Sequence, residues 1–328
     1  MKKLMTVLAL ILAVSLLFVA CGQGQQNGGT AEKTYSFSMA TGGTTGTYYP
    51  LGTAIAQVIS QYTKNVKVEA RSTGASVANI NLLKDGQADM AFVQNDIAFY
   101  AYNGVEVFNG KKVDNIAGMM ALYPEHIQIV TLADSGINSV ADLKGKRVAV
   151  GAAGSGVEAN AKQILEAYGL SFDDLALADH VSFKDAVQKL KNNQLDAAFL
   201  TAGYPTAAVN ELAASKAIKL IPIDDEHAKA LKAKYPFYVQ DIIPAGTYKG
   251  VDQDVKTVAV KAILIVRKDI PEDVVYNMLQ AIFAHTDEIA KAHAKGAMIN
   301  LDNAVDGMSI PWHPGAKKFF EEKGKLSK

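Results

Sequence analysis

Strand, polar glycine turn and helix start follow one another repeatedly along this chain, an order that restricts the fold to helices layered on a mostly parallel sheet. The first instance is FSMATGGTTGTYYPLGTAIA, residues 37–56. Apolar and small polar residues alternate with period two as far as Ala40, which predicts the end of a short strand. Gly42, Gly43 and Gly46 then permit positive φ and close approach of a ligand to the backbone, while Thr41, Thr44, Thr45 and Thr47 add hydroxyls. Pro50 suits a first helical turn, where its missing N–H is not needed. Such a junction aims unpaired amides and the positive end of a helix dipole at one point, a place for a carboxylate or phosphate. An isolated Gly-Gly-x-x-Gly is as readily a plain connection. The pair Tyr48-Tyr49 favours a site, because two adjacent rings at a helix start do not both enter a core.

Residues 66–70 alternate as a strand, 71–76 form a second polar turn, 77–84 a helix stopped by Asp85-Gly86, and 90–93 a buried strand. Ligands of such sheets lie outside the carboxyl ends of the strands. Those ends carry the first turn, then Ser72, Thr73 and Ser76, then Gln94 and Asp96, with Arg71 the sole cation nearby. The second half repeats the plan: a strand at 147–150 runs into Gly154-Ser155-Gly156 and a helix to Tyr168. Residues 182–200 align without a gap on 75–93, pairing Gln194 with Gln87, Asp196 with Asp89 and Phe199 with Phe92. Two lobes built on one plan, each giving a glycine turn to a shared cleft, are expected. A further polar turn, Thr201, Gly203 and Tyr204 before Pro205, follows the last of these strands.

The glycines at 151, 154 and 156 run G-x-x-G-x-G rather than G-x-G-x-x-G, and no Lys-Ser/Thr follows, so nucleotide binding is not indicated. No G-x-S-x-G elbow occurs and the six histidines show no metal spacing, so neither an enzyme nor a metal or other cofactor is expected. His313, between two prolines, reads as an anchor for the final helix.

The chain opens on Lys2-Lys3 and an apolar run ending in Ala20-Cys21, which predicts a signal peptide over 1–20. Cys21, the single cysteine, resembles the lipidation point of a bacterial lipoprotein, with Phe18 in place of the usual Leu. Residues 21–33 are nearly free of apolar side chains and are expected to be a flexible tether. Removing the leader takes two of 33 basic side chains and leaves 33 acidic ones, so no polybasic surface speaks for nucleic acid. An extracytoplasmic, membrane-tethered monomer follows as the expectation.

The string at 37–56 resembles the opening motif of the TAXI family, the extracytoplasmic solute receptors of tripartite ATP-independent periplasmic (TRAP) transporters. Residues 137–151 resemble the second-lobe entry of several solute-binding classes, and Pro311-Trp-His-Pro-Gly-Ala316 resembles the family's closing signature. The chain departs from it at Val157, where a Thr is usual. The resemblance implies an α/β, two-lobed periplasmic-binding-protein-like fold (type II), with residues 34–126 and 242–328 in one lobe and 127–241 in the other. It also implies capture of a small carboxylate such as glutamate, 2-oxoglutarate or a related dicarboxylate, and its delivery to a TRAP permease. The absence of a clear Arg clamp leaves a neutral polar ligand open. The alternative is a receptor of an ABC importer, of thiamine-precursor or sulfonate-like type.

Overall fold

The first strand, β1 (Tyr35–Ala40), ends at the glycine turn expected of it, and α1 (Tyr48–Tyr62) begins beyond the turn. These elements belong to a computed structural model that describes residues 33–327. The signal peptide, Cys21 and all but the last residue of the tether lie outside the described residues. After β2 (Val66–Arg71) come α2 (Ser76–Lys84), β3 (Met90–Gln94) and α3 (Asn95–Asn103). A 17-residue strand follows, β4 (Ile116–Leu132). The next units are β5 (Arg147–Ala149), α4 (Gly156–Ala167), β6 (Leu177–Asp179), α5 (Phe183–Lys191) and β7 (Ala197–Ala202). Then come α6 (Ala207–Ser215), β8 (Ile218–Ile221), α7 (Asp225–Lys234), β9 (Val239–Ile243) and the long β10 (Val255–Arg267). The chain closes with α8 (Glu272–Ala284), α9 (Thr286–Ala290) and α10 (Pro314–Glu322).

The strands run β2-β1-β3-β10-β4 and continue β4-β7-β5-β6, with β8 on β4 and β9 on β10. Within each half the outer strands are parallel, while β4 and β10 run antiparallel to their neighbours, so the sheet is mixed. β4 is the seam. It pairs with β10 as far as His126 and with β7 from His126 onward. Central strands covered on both faces read as unbroken apolar runs, and Ala262 to Val266 is buried throughout. Ile243, Tyr248 and Val251 pack with Val130, Leu200 and Leu220, so the chain between β9 and β10 shares the core of the second half-sheet.

The internal alignment is reproduced in bonds. The Asp89 carboxylate accepts the Ser38 N–H at 2.8 Å, and Asp196 accepts the Arg147 N–H at 2.8 Å. The amides of the same aspartates return bonds to the carbonyls of Ser38 (3.0 Å) and Arg147 (2.8 Å). Gly86 and Asn193, also in register, both take positive φ, 68° and 54°. Each half therefore locks its third strand to its first in the same way. At the C-terminus, His313 caps α10: Nδ1 accepts from the Gly315 N–H at 3.2 Å and Nε2 bonds the Ile270 carbonyl at 2.9 Å. The ring is buried and structural, as expected of it.

Candidate functional site

The carboxyl ends of β1, β2 and β3 face those of β5, β6 and β7 across a cavity of about 80 Å³. That is several times the roughly 10–15 Å³ that one water needs. Gly42, Gly43, Gly46 and Tyr48 line it from the first turn, and Thr73 and Ser76 from the second. Gln94, Ser155, Gly156 and Thr201 complete the expected residues that reach it.

The other expected residues have different partners. Thr41 is buried and donates to the Arg71 carbonyl at 2.7 Å; Ser72 donates to the Gly42 carbonyl at 2.9 Å. Thr44 is exposed and Tyr49 half-buried, neither lining the cavity, while the Thr45 carbonyl accepts the Ala208 N–H at 3.2 Å. Gly154 gives its carbonyl to the Ala78 N–H at 3.0 Å, and Gly203 gives its own to the Thr47 hydroxyl at 2.9 Å. Tyr204 lies under the Lys295 ammonium, 3.4 Å from its ring centre. Asp96 turns away from the cavity, where its carboxylate takes the Ile97 N–H at 2.9 Å and the Asn160 amide at 3.1 Å. Arg71 points outward to the Ser38 hydroxyl and the Gln87 carbonyl.

Several of these bonds join the two halves. Ala78 to Gly154, Thr47 to Gly203, Thr45 to Ala208 and Asp96 to Asn160 each run from an element of the first half-sheet to one of the second. The two halves are thus in direct contact around the cavity, and Gly156 packs so closely that a Cβ there would lie 2.1 Å from Gln94 Oε1. Ala75, at the N-terminus of α2, holds φ 68° and ψ −151° on the cavity wall. That region is nearly closed to side-chain-bearing residues and costs on the order of 1–3 kcal/mol. The Thr73 hydroxyl, accepting the Ala75 N–H at 3.2 Å, and the bond from Asn79 N–H to the Ala75 carbonyl at 2.8 Å hold it there.

Thr47 and Val157, both noted in the sequence, line the cavity too, and so do two residues that the sequence reading passed over, Phe183 and above all Glu125. Glu125 lies in β4 just before the switch from β10 to β7, 2 % exposed, with Oε2 accepting the Tyr48 hydroxyl at 2.6 Å. Burial, helped by the nearby Asp96, pushes its carboxyl up to about 8 against the lowering effect of Tyr48. Asp96 is raised to about 7, again by burial, against the hydrogen bonds it accepts. One signal was available, a lone carboxylate in the apolar stretch IAGMMALYPEHIQIVTL. The lining holds no Lys, Arg or His. Among the described residues no cluster of His, Cys, Asp and Glu is placed to hold a metal, and no helix is long and apolar enough to cross a membrane.

Residues 39–324 match the model of the NMT1-like family. The chain belongs to that family. Its fold is similar to that of PhnD1 from Prochlorococcus marinus (MIT 9301), solved in complex with methylphosphonate, at a TM-score of 0.53 and 11% identity over 89% of this chain and 99% of that one. It is also similar to the alkanesulfonate-binding protein SsuA from Xanthomonas axonopodis pv. citri bound to MOPS, at 0.50 and 14% over 91% and 96%. This NMT1-like protein has the α/β periplasmic-binding-protein-like fold that those two structures share. The findings correct the expected membership in the TAXI receptors. With it go the TRAP permease as partner and the small carboxylate, such as glutamate or 2-oxoglutarate, as ligand. The glycine turns that suggested TAXI receptors are features of strand-to-helix junctions in this fold, which hosts receptors of several kinds.

Proposed function

We propose that this NMT1-like protein is the extracytoplasmic solute-binding receptor of an ABC importer, enclosing one small polar solute and delivering it to the importer's permease. The observation that carries the reading is the cavity at the strand ends of both half-sheets, where such folds take their ligands. The ABC partner is supported by the likeness in fold to phosphonate- and alkanesulfonate-binding proteins, and the export by the leader sequence. Cys21 would then carry the lipid that holds the receptor at the outer face of the membrane.

The test has two arms. Mass spectrometry of the purified mature protein identifies a small molecule released on unfolding, and uptake of that molecule by cells is then followed. Uptake should need the receptor, stop when ATP is depleted, and survive collapse of the ion gradients. Uptake that follows the ion gradient instead sinks the ABC assignment. Incorporation of labelled palmitate by wild type and not by Cys21→Ser tests the anchor.

A further inference from the structure

We infer that the solute accepted here presents a hydrogen-bond donor, best an ammonium group, to Glu125 and Gln94; this rests on the receptor reading above. Glu125 is the one ionisable acid or base on the cavity wall apart from the phenol of Tyr48, and that phenol already donates to it. Its second oxygen, Oε1, receives no hydrogen bond from the described residues. Gln94, 2 % exposed and on the same wall, has a buried Oε1 with no donor. Gln94 Oε1 therefore lacks, among the described residues, the partner that buried polar groups ordinarily have, and the Glu125 carboxyl stands in the same small chamber. A donor on the solute supplies what the chain does not.

Charge points the same way. A solute bearing only acceptor oxygens, such as a sulfonate, meets a carboxyl group and no cation at the walls. An ammonium ion favours the ionised form of Glu125 and is favoured by it, and the interaction gains from the low dielectric of a largely apolar lining. Glu125 is also placed to sense closure. It occupies the point of β4 where pairing passes from one half-sheet to the other, and Tyr48 of α1 holds its carboxyl in position.

The experiment uses three probes of similar size: ethylamine with an ammonium group alone, ethanesulfonate with a sulfonate alone, and taurine with both. Mature protein, freed of bound solute by unfolding and refolding, is titrated with each while the melting temperature is followed. Ethylamine and taurine should raise it and ethanesulfonate should not. Glu125→Gln, which keeps the acceptor for Tyr48 but removes the charge, should weaken ethylamine binding at least about tenfold. Gln94→Leu, judged folded by circular dichroism, should weaken it severalfold and serves where Glu125→Gln does not fold. Stabilisation by ethanesulfonate equal to that by taurine, stabilisation by none of the three, or unchanged ethylamine affinity in the folded variants each overturns the inference. Ethanesulfonate acting alone leaves the receptor reading standing. That reading fails on its own test, when no solute is released from the purified protein.

Discussion

The Tyr48 hydroxyl donates to Glu125 Oε2 at 2.6 Å, joining the first residue of α1 to the middle of the strand that links the two half-sheets. Tyr48 packs against Phe92 at the same time, ring centres 5.2 Å apart, so one side chain serves the core with its ring and the cavity with its oxygen.

Tyr48→Phe keeps the ring and leaves a buried acceptor without its donor. The expected loss is about 1–3 kcal/mol of unfolding free energy. Urea titration at neutral pH checks this, and a variant indistinguishable from wild type would remove the bond from the account.

Glu125 and Asp96 set a pH dependence. Their carboxyls rise on folding from ordinary values of 4.5 and 3.8 to about 8 and about 7, so the folded protein holds protons that the unfolded chain releases. Their contribution to stability is complete below the ordinary values and is lost as pH climbs through about 4 to about 8. The stability of wild type minus that of Glu125→Gln should therefore fall across this window. A difference that stays flat or rises would contradict the buried, proton-holding carboxyl.

Gly156→Ala tests closure. The added methyl would lie 2.1 Å from Gln94 Oε1, a contact that only separation of the halves or displacement of Gln94 relieves. Each half has an apolar cluster of its own beside a third that runs across both, so a variant judged folded by circular dichroism should show a larger radius of gyration in solution scattering and retain no solute on purification. Unchanged dimensions with solute still bound would show that Gln94 simply moves aside.

Ser155→Ala separates two roles of one hydroxyl. Ser155 is the N-cap of α4, its Oγ accepting the Glu158 N–H at 3.1 Å, and loss of such a cap costs about 0.5–2 kcal/mol. The melting temperature should fall while affinity for the copurified solute changes little. Intact stability with a tenfold loss of affinity would assign the hydroxyl to the solute instead.

What could be read from the residues was local or repetitive. The glycine turns reach the cavity at Gly42, Gly43, Ser155 and Gly156 because strand-to-helix junctions are encoded within a few residues. The repeat showed itself because Asp89 and Asp196 make the same bonds in both halves. The type of receptor was not legible, since these turns are demanded by the fold and not by one ligand or one permease.

Assembly settled the rest. Asp96 is itself expected at the cavity and Arg71 stands beside residues that are, yet one turns to Asn160 and the other to Ser38. Adjacency along the chain does not specify which of several nearby polar partners a side chain will find. Glu125 stands 77 residues from Tyr48, and its burial exists only once α1 is packed against the seam between the half-sheets. Its raised proton affinity and its place on the cavity wall are products of that packing, because desolvation depends on what covers a group in space.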